Sequence, residues 1–193
     1  MVENKNERGI SEEKACQIIR LYSEISQLKK LYRQGWLENG VSEKDCESVA
    51  DHSFLTASLG YLIANECRPD LNPLKVMELC MVHDLSEVHA GDITPRQKMS
   101  EEEKFQKNYE GIKKIFSKLP NGEKYVELWL EFEKQKSPEA KFAKEVDKLE
   151  MALQAFLYEK MGYRGLDVYF TDVQSKISSK ELKLILAELM KSR

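Results

Sequence analysis

The chain has 193 residues, of which 41% are hydrophobic and 33% charged. This composition suits one globular domain with a buried core and excludes an intrinsically disordered chain. The net charge is −3 and the acidic and basic residues are interspersed, so we expect no dedicated surface for nucleic acid or anionic membrane. No stretch approaches the roughly 20 apolar residues that span a bilayer, and the polar N-terminus is unlike a signal peptide. We therefore expect a single domain over residues 1–193 in the cytoplasm.

Apolar residues at helical spacing, between only nine glycines and five prolines, predict an all-α fold. Ser11 is a suitable N-cap for the first helix, because Glu12 and Glu13 follow in its first turn. This helix is expected to bury one apolar stripe, which consists of Ala15, Ile18, Tyr22, Ile25 and Leu28.

The next two helices are bounded by recognisable start and stop residues. A second helix is predicted from about Ser48 to Cys67. Asn72 followed by Pro73 predicts the start of a third helix. Gly91 is the expected end of this third helix.

The later helices also have capping signals. Ser100, with Glu103 three residues later, predicts a capping box at the start of a fourth helix. The fourth helix is expected to end near residues 119–122. A fifth helix is expected over residues 125–132 and a sixth from Ser137-Pro138 to Gly162. One or two further helices are expected within residues 167–189.

Scarce histidines and isolated acids fall on the apolar helices. His83 and Asp84 follow an apolar run deep in the third helix, where an unpaired carboxylate is costly. His52 lies in the second helix and Asp147 in the sixth. Imidazole and carboxylate together suit a divalent transition metal. The alternatives are a hydrogen-bonded core histidine and a solvated surface acid.

The strings around these residues resemble a known family. They are ESVADHSF around His52, HDLSEVHAGDITP after His83, and AKFAKEVDKLEMALQA around Asp147. Together they are similar to the HD-domain metal-dependent phosphohydrolases, in the branch of bacterial 5′-deoxynucleotidases and their eukaryotic HD-domain relatives. The resemblance covers about residues 25–160 and implies a single-domain helical bundle of the HD-domain type.

The resemblance implies a metal site and a catalytic residue. The implied ligands are His52, His83, Asp84 and Asp147, which would hold one divalent ion per chain, of manganese, cobalt, nickel, iron or zinc. Glu87 matches the family's acidic residue in HD-x-x-E, and its spacing places it on the same side of a helix as His83 and Asp84. The implied role is proton transfer, and the alternative is an ordinary surface glutamate.

The resemblance also implies three substrate contacts. Arg33 would engage phosphate, Trp36 would pack near the sugar, and Asp92 would hold a sugar hydroxyl. The alternatives are a surface charge, a core aromatic residue and an acid that stabilises a turn. His89 occupies a place where the family has an apolar residue, and we expect a structural role for it. The segment LENGVSEKDCES after Trp36 is longer and more acidic than its family equivalent.

These roles predict a metal-dependent phosphomonoesterase that hydrolyses nucleoside 5′-monophosphates, above all 2′-deoxynucleotides, to nucleoside and phosphate. One alternative is an HD phosphohydrolase that acts on another nucleotide, although triphosphates are expected to need more basic groups than lie near the ligand motifs. Another is a nucleotide- or metal-binding sensor without turnover. The resemblance implies a homodimer, and Leu182, Ile185 and Leu189 are candidate interface residues.

Overall fold

The computed structural model describes residues 10–193, and in this part of the chain all regular structure is helical apart from a single bridge between Tyr32 and Ser48. The expectation about the polar N-terminus falls mainly on residues 1–9, which lie outside the described residues. The α-helices are α1 (Glu12–Ile25), α2 (Gln34–Glu38), α3 (Val49–Cys67), α4 (Pro73–Val82), α5 (Glu87–Ala90), α6 (Glu101–Phe116), α7 (Glu123–Glu133), α8 (Pro138–Lys160), α9 (Asp167–Lys176) and α10 (Lys180–Ser192). The predicted all-α fold is confirmed.

The predicted helix starts are confirmed by capping hydrogen bonds. In each case, the side chain of the N-cap residue accepts a hydrogen bond from a backbone N–H in the first turn. These N-cap residues are Ser11, Ser48, Asn72, Ser100 and Ser137. The caps therefore fix where five of the helices begin.

The predicted first helix is wrong in its length and in its buried stripe. α1 ends at Ile25, and Ser26–Lys30 forms a 3₁₀ turn. Because a 3₁₀ turn has fewer residues per turn than an α-helix, it rotates Leu28 away from the α-helical stripe. Leu28 is buried, whereas Ile18 and Tyr22 are exposed.

The predicted third helix does not run unbroken to Gly91. α4 ends at Val82, and residues 83–86 form a turn before α5. The backbone N–H of Glu87 donates to the Asp84 carbonyl, three residues back, at 3.0 Å. This tighter hydrogen bonding separates α4 from α5. His83 and Asp84 consequently lie at a helix end rather than deep within a helix.

Close backbone approaches hold this turn among its neighbours. A Cβ at Gly111 in α6 would lie 2.6 Å from the Ser86 carbonyl oxygen, so only glycine allows α6 to pack against the turn. The indole N–H of Trp129 in α7 donates to the His83 carbonyl at 3.0 Å. α4 also packs on α3 and α8. The turn is therefore fixed by elements distant in sequence.

The C-terminal helix contributes to the main hydrophobic core. Leu182 and Leu189 are buried, and Ile185 packs against the same cluster. Leu182 and Leu189 therefore belong to the chain's own core, Ile185 is partly buried against it, and the expected interface role stays a prediction. None of the described helices is long and apolar enough to cross a membrane.

Candidate metal centre

The four predicted ligands lie together where α3, α4 and α8 meet. Ligand atoms of His52, His83 and Asp147 all lie within 4.8 Å of one another. His52 Nε2 is 3.1 Å from Asp147 Oδ1 and 3.3 Å from His83 Nε2. Asp84 Oδ2 lies 3.1 Å from His83 Nε2 and 3.7 Å from His52 Nε2. Two imidazoles and two carboxylates thus converge on one small volume.

The outer nitrogens of both imidazoles are already engaged. His52 Nδ1 lies 2.6 Å from Glu150 Oε2, and His83 Nδ1 lies 2.6 Å from the Cys80 carbonyl oxygen. Because a carbonyl can only accept, His83 Nδ1 carries the proton, and the carboxylate favours the same tautomer in His52. Each Nε2 then turns a lone pair toward the cluster, which is the arrangement of a metal-binding histidine.

The electrostatics of the cluster call for positive charge. Burial and Arg33 oppose protonation of His52, but Glu150 and Asp147 outweigh them and raise the pKa of His52 to about 10. Burial alone would raise the pKa of Asp147, but Lys148 and the histidines hold it well below its usual range. Without a metal, a proton on His52 supplies part of this charge. The donor set suits a divalent cation.

A buried carboxyl group adjoins the cluster. Glu87 begins α5 and is 8% exposed, and its Oε2 has no hydrogen-bond partner among the described residues. The nearest cation is Arg33, whose Nη1 lies 4.0 Å away. Burial, together with repulsion from Asp84, raises the pKa of Glu87 well above its ordinary value. Burial and Asp84 thus favour the protonated form of the Glu87 carboxyl group.

Arg33 lies among the predicted acids, just before α2. Its Nη1 donates to Asp92 Oδ1 at 3.1 Å and to Asp84 Oδ2 at 3.4 Å. The other oxygen of Asp92 accepts a hydrogen bond from the backbone N–H of Gln34. These contacts all use Nη1 on the arginine, so Nε and Nη2 have no partner within residues 10–193. Arg33 thus keeps donors for an anion, whereas both oxygens of Asp92 are engaged.

Trp36 has a buried polar partner that the sequence reasoning missed. Its indole N–H donates to Glu47 Oε1 at 2.7 Å, and its ring packs on Tyr169 at 4.0 Å between centroids. Glu47 comes from the acidic segment after Trp36. Burial, followed by repulsion from Glu150, raises the pKa of Glu47 to about 7. The acidic segment after Trp36 therefore places the carboxyl group of Glu47 close to His52 and Glu150, where ligand atoms of the three residues lie within 4.8 Å of one another.

A cleft of about 1320 Å³ opens beside the cluster, and its wall includes Glu87, Asp92 and Trp36. The basic residues that line it are Arg33, Arg96, Lys104, Lys134, Lys144, Lys148 and Lys176. The expectation of few basic residues near the ligand motifs is therefore wrong, because Lys144 and Lys148 flank Asp147 in α8, and further cations come from α6, α9 and the residue after α7. Lys104 and Lys134 are the two that have no carboxylate within 4 Å among residues 10–193.

Lys148 is a second residue that the sequence reasoning missed. Its ammonium lies 3.0 Å from Asp147 Oδ2. The available signal was its position directly after a predicted ligand. His89, by contrast, lies outside the cluster, because its Nε2 contacts Glu24 Oε1 at 2.7 Å.

Comparisons with known proteins agree with this geometry. Residues 25–189 match the HD domain family. The chain is 34% identical over 181 residues to the human protein named 5′-deoxynucleotidase HDDC2, covering 92% of this chain and 85% of that protein. It is 36% identical over 153 residues to 5′-deoxynucleotidase hdd1 of Schizosaccharomyces pombe, covering 76% and 75% of the two chains.

A solved structure shows the same fold. The crystal structure of PH0347 protein from Pyrococcus horikoshii matches with a TM-score of 0.77 and 32% identity, covering 91% of this chain and 99% of that chain. The match to the family covers most of the described residues and includes all four converging side chains. The chain belongs to the HD domain family.

Proposed function

We propose that this chain, as one HD domain over residues 1–193, is a metal-dependent phosphomonoesterase that hydrolyses nucleoside 5′-monophosphates, with a preference for 2′-deoxynucleotides. The observation that carries the proposal is the convergence of two imidazole nitrogens and two carboxylates beside the buried carboxyl group of Glu87. The names of the relatives, 5′-deoxynucleotidases, support the same activity.

In this proposal, His52, His83, Asp84 and Asp147 hold one ion of manganese, cobalt, nickel, iron or zinc. The bound ion would supply Lewis acidity, which activates water and polarises a phosphoryl group. The rings of both histidines are held in orientation by the chain itself. Glu150 holds His52, and the Cys80 carbonyl holds His83. This prepares the site before an ion arrives.

The proton and the phosphate are handled by different residues. Asp84 and Glu87 are neighbouring carboxyl groups whose pKa values are shifted in opposite directions, down and up respectively. Such a pair divides ionised and protonated roles between its members. Glu87 would give its proton to the departing 5′ oxygen. The free donors of Arg33 would bind phosphate oxygens.

The sugar is proposed to lie against Trp36 and Asp92. Both residues line the cleft near Arg33. Since both oxygens of Asp92 are engaged by Arg33 and Gln34, a sugar hydroxyl would share an oxygen with one of those donors. Asp92 would then orient Arg33 and the sugar together.

A second candidate is hydrolysis of a nucleotide with more phosphates. It is favoured by the seven basic residues on the cleft wall. Most of them are already paired with acids; Arg96, for example, lies 3.6 Å from Glu38, and Lys176 lies 2.8 Å from Asp172. Because acids offset part of the charge of five of these seven residues, the monophosphate is the better fit. The sensor without turnover is the remaining alternative.

One experiment separates these functions. The protein is incubated with nucleoside mono-, di- and triphosphates and with cyclic nucleotides, in manganese, cobalt, zinc or magnesium, and phosphate release is measured. Release from monophosphates, fastest with 2′-deoxynucleotides, is the expected result. Release from triphosphates alone would favour the second candidate. A protein that holds metal and releases nothing would favour the sensor.

A homodimer and a cytoplasmic location stay predictions. In α10, Leu182 and Leu189 are buried in the chain's own core, so we expect a dimer interface to use other, exposed apolar residues. α3 exposes Phe54, Leu55 and Leu62, and large exposed apolar side chains are typical of contact surfaces. Light scattering after size-exclusion chromatography, on the wild type and Phe54→Ser, tests whether this face associates.

A further inference from the structure

Two cations contact the two carboxylates of the metal centre. Arg33 Nη1 lies 3.4 Å from Asp84 Oδ2, and Lys148 Nζ lies 3.0 Å from Asp147 Oδ2. Asp147 therefore divides its oxygens, because Oδ1 faces His52 at 3.1 Å and Oδ2 faces the lysine. The two cations come from different elements, the segment before α2 and the middle of α8.

The ammonium of Lys148 has donor capacity beyond its contact with Asp147. A lysine ammonium carries three N–H donors. One points to Asp147, and the only other contact among the described residues is with Met151 Sδ at 4.0 Å. The side chain is 25% exposed and lines the cleft. An anion in the cleft can therefore accept a hydrogen bond from Lys148.

Different cations face different acids on the floor of the cleft. A phosphate dianion must approach a floor formed by the carboxyl groups of Asp84, Glu87, Asp92 and Asp147. Arg33 lies within 4.0 Å of three of these acids. Its Nη1 donates to Asp84 and Asp92. The fourth acid, Asp147, has Lys148 beside it, so a phosphate above this floor would meet both cations.

We propose that Lys148 binds the phosphate group of the substrate together with Arg33. This inference rests on the proposed phosphomonoesterase function. Lys148 would act as a substrate-binding residue on the side of the metal centre that α8 forms. A neighbouring lysine lacks this role: Lys144, one helical turn earlier, lies 2.8 Å from Glu133 Oε1 and over the ring of Phe132 at 4.5 Å.

The test compares Lys148→Gln and Lys148→Arg with the control Lys144→Gln in the manganese-loaded protein. Calorimetry measures the binding of inorganic phosphate, steady-state kinetics gives KM and kcat for dAMP, and elemental analysis gives the manganese content. We expect Lys148→Gln to weaken phosphate binding and to raise KM by roughly 10- to 100-fold at unchanged metal content. Lys148→Arg, which keeps the positive charge, should recover much of the phosphate affinity that Lys148→Gln loses, and Lys144→Gln should stay within about threefold of wild type.

The outcomes separate binding from structural roles. Unchanged phosphate affinity in Lys148→Gln would overturn the proposal, and so would absence of phosphate binding in the wild type. Loss of manganese together with activity in Lys148→Gln would also overturn the proposal, because it would show that Lys148 positions Asp147 as a ligand. If Lys148→Gln does not fold, the same measurements are made on Lys148→Met, whose side chain is unbranched and uncharged. Because phosphate binding requires no turnover, an inactive wild type would contradict the phosphomonoesterase while leaving the calorimetric result decisive for Lys148.

Discussion

His52 Nε2 lies 3.3 Å from His83 Nε2, while the Nδ1 atom of each ring contacts an acceptor. Two neutral rings held in this way would face each other with their lone pairs. Such an arrangement is repulsive unless a cation lies between the nitrogens. The carboxylates of Asp84 and Asp147 add to the same demand. A proton on His52 supplies part of the positive charge that this arrangement requires, and a divalent metal would supply all of it.

Manganese affinity should rise with pH. Because the pKa of His52 is raised to about 10, the metal-free protein carries a proton there at neutral pH. A metal must displace this proton, so the dissociation constant should fall about tenfold per pH unit between pH 6.5 and pH 8.5. Calorimetric titration with manganese at three pH values measures this dissociation constant. A dissociation constant that does not change would show that His52 binds no metal.

Glu150→Gln should weaken metal binding without removing a ligand. Glu150 holds His52 through Nδ1, and loss of such an outer contact costs roughly 10- to 100-fold in metal affinity. Glu159→Gln on the same helix is the matched control, because Glu159 pairs with Arg193 instead. Equal manganese affinities for the two variants would mean that Glu150 has no orienting role.

Glu87→Gln should slow turnover while the metal stays bound. The amide is nearly the same size but cannot give up a proton at neutral pH, so kcat should fall by roughly 10²- to 10⁴-fold. His83→Ala should lose metal and activity together. The measurement is kcat beside metal content for both variants. Full activity of Glu87→Gln would show that the residue transfers no proton, and loss of the metal from this variant would show that Glu87 is a ligand.

Deoxyribonucleotides should be preferred, but not absolutely. A pocket wall such as Trp36 rejects an added hydroxyl group by only about 10²-fold. The ratio of kcat/KM for dAMP to that for AMP measures this preference. Comparable values would show that the sugar pocket does not select against the 2′ hydroxyl. The phosphomonoesterase proposal would survive such a result, since it does not depend on the sugar.

Local signals made much of the fold predictable from sequence. The hydrogen bonds that start α1, α3 and α8 involve only residues up to three positions apart, as at Ser11, Ser48 and Ser137. The break after Val82 was not predictable in this way. It depends on Trp129 and on the glycine at position 111, which meet the turn from other helices.

The same distinction applies to the metal centre. His52, His83 and Asp147 could be predicted as partners because their residue types are scarce on apolar helices. Glu47 and Lys148 could not, because one lies in an acidic segment and the other resembles any helix-surface lysine. Their roles arise from contacts with Trp36 and Asp147 that only the packed structure reveals.

The most direct test of the proposed metal centre is the metal content of protein prepared without chelator, for the wild type and for Asp84→Ala. Circular dichroism and thermal unfolding confirm that the variant is folded. We expect about one transition-metal ion per wild-type chain, and far less in the variant, because the substitution removes one of four ligands. Equal metal content in the two proteins would contradict the assignment of His52, His83, Asp84 and Asp147 as the metal site.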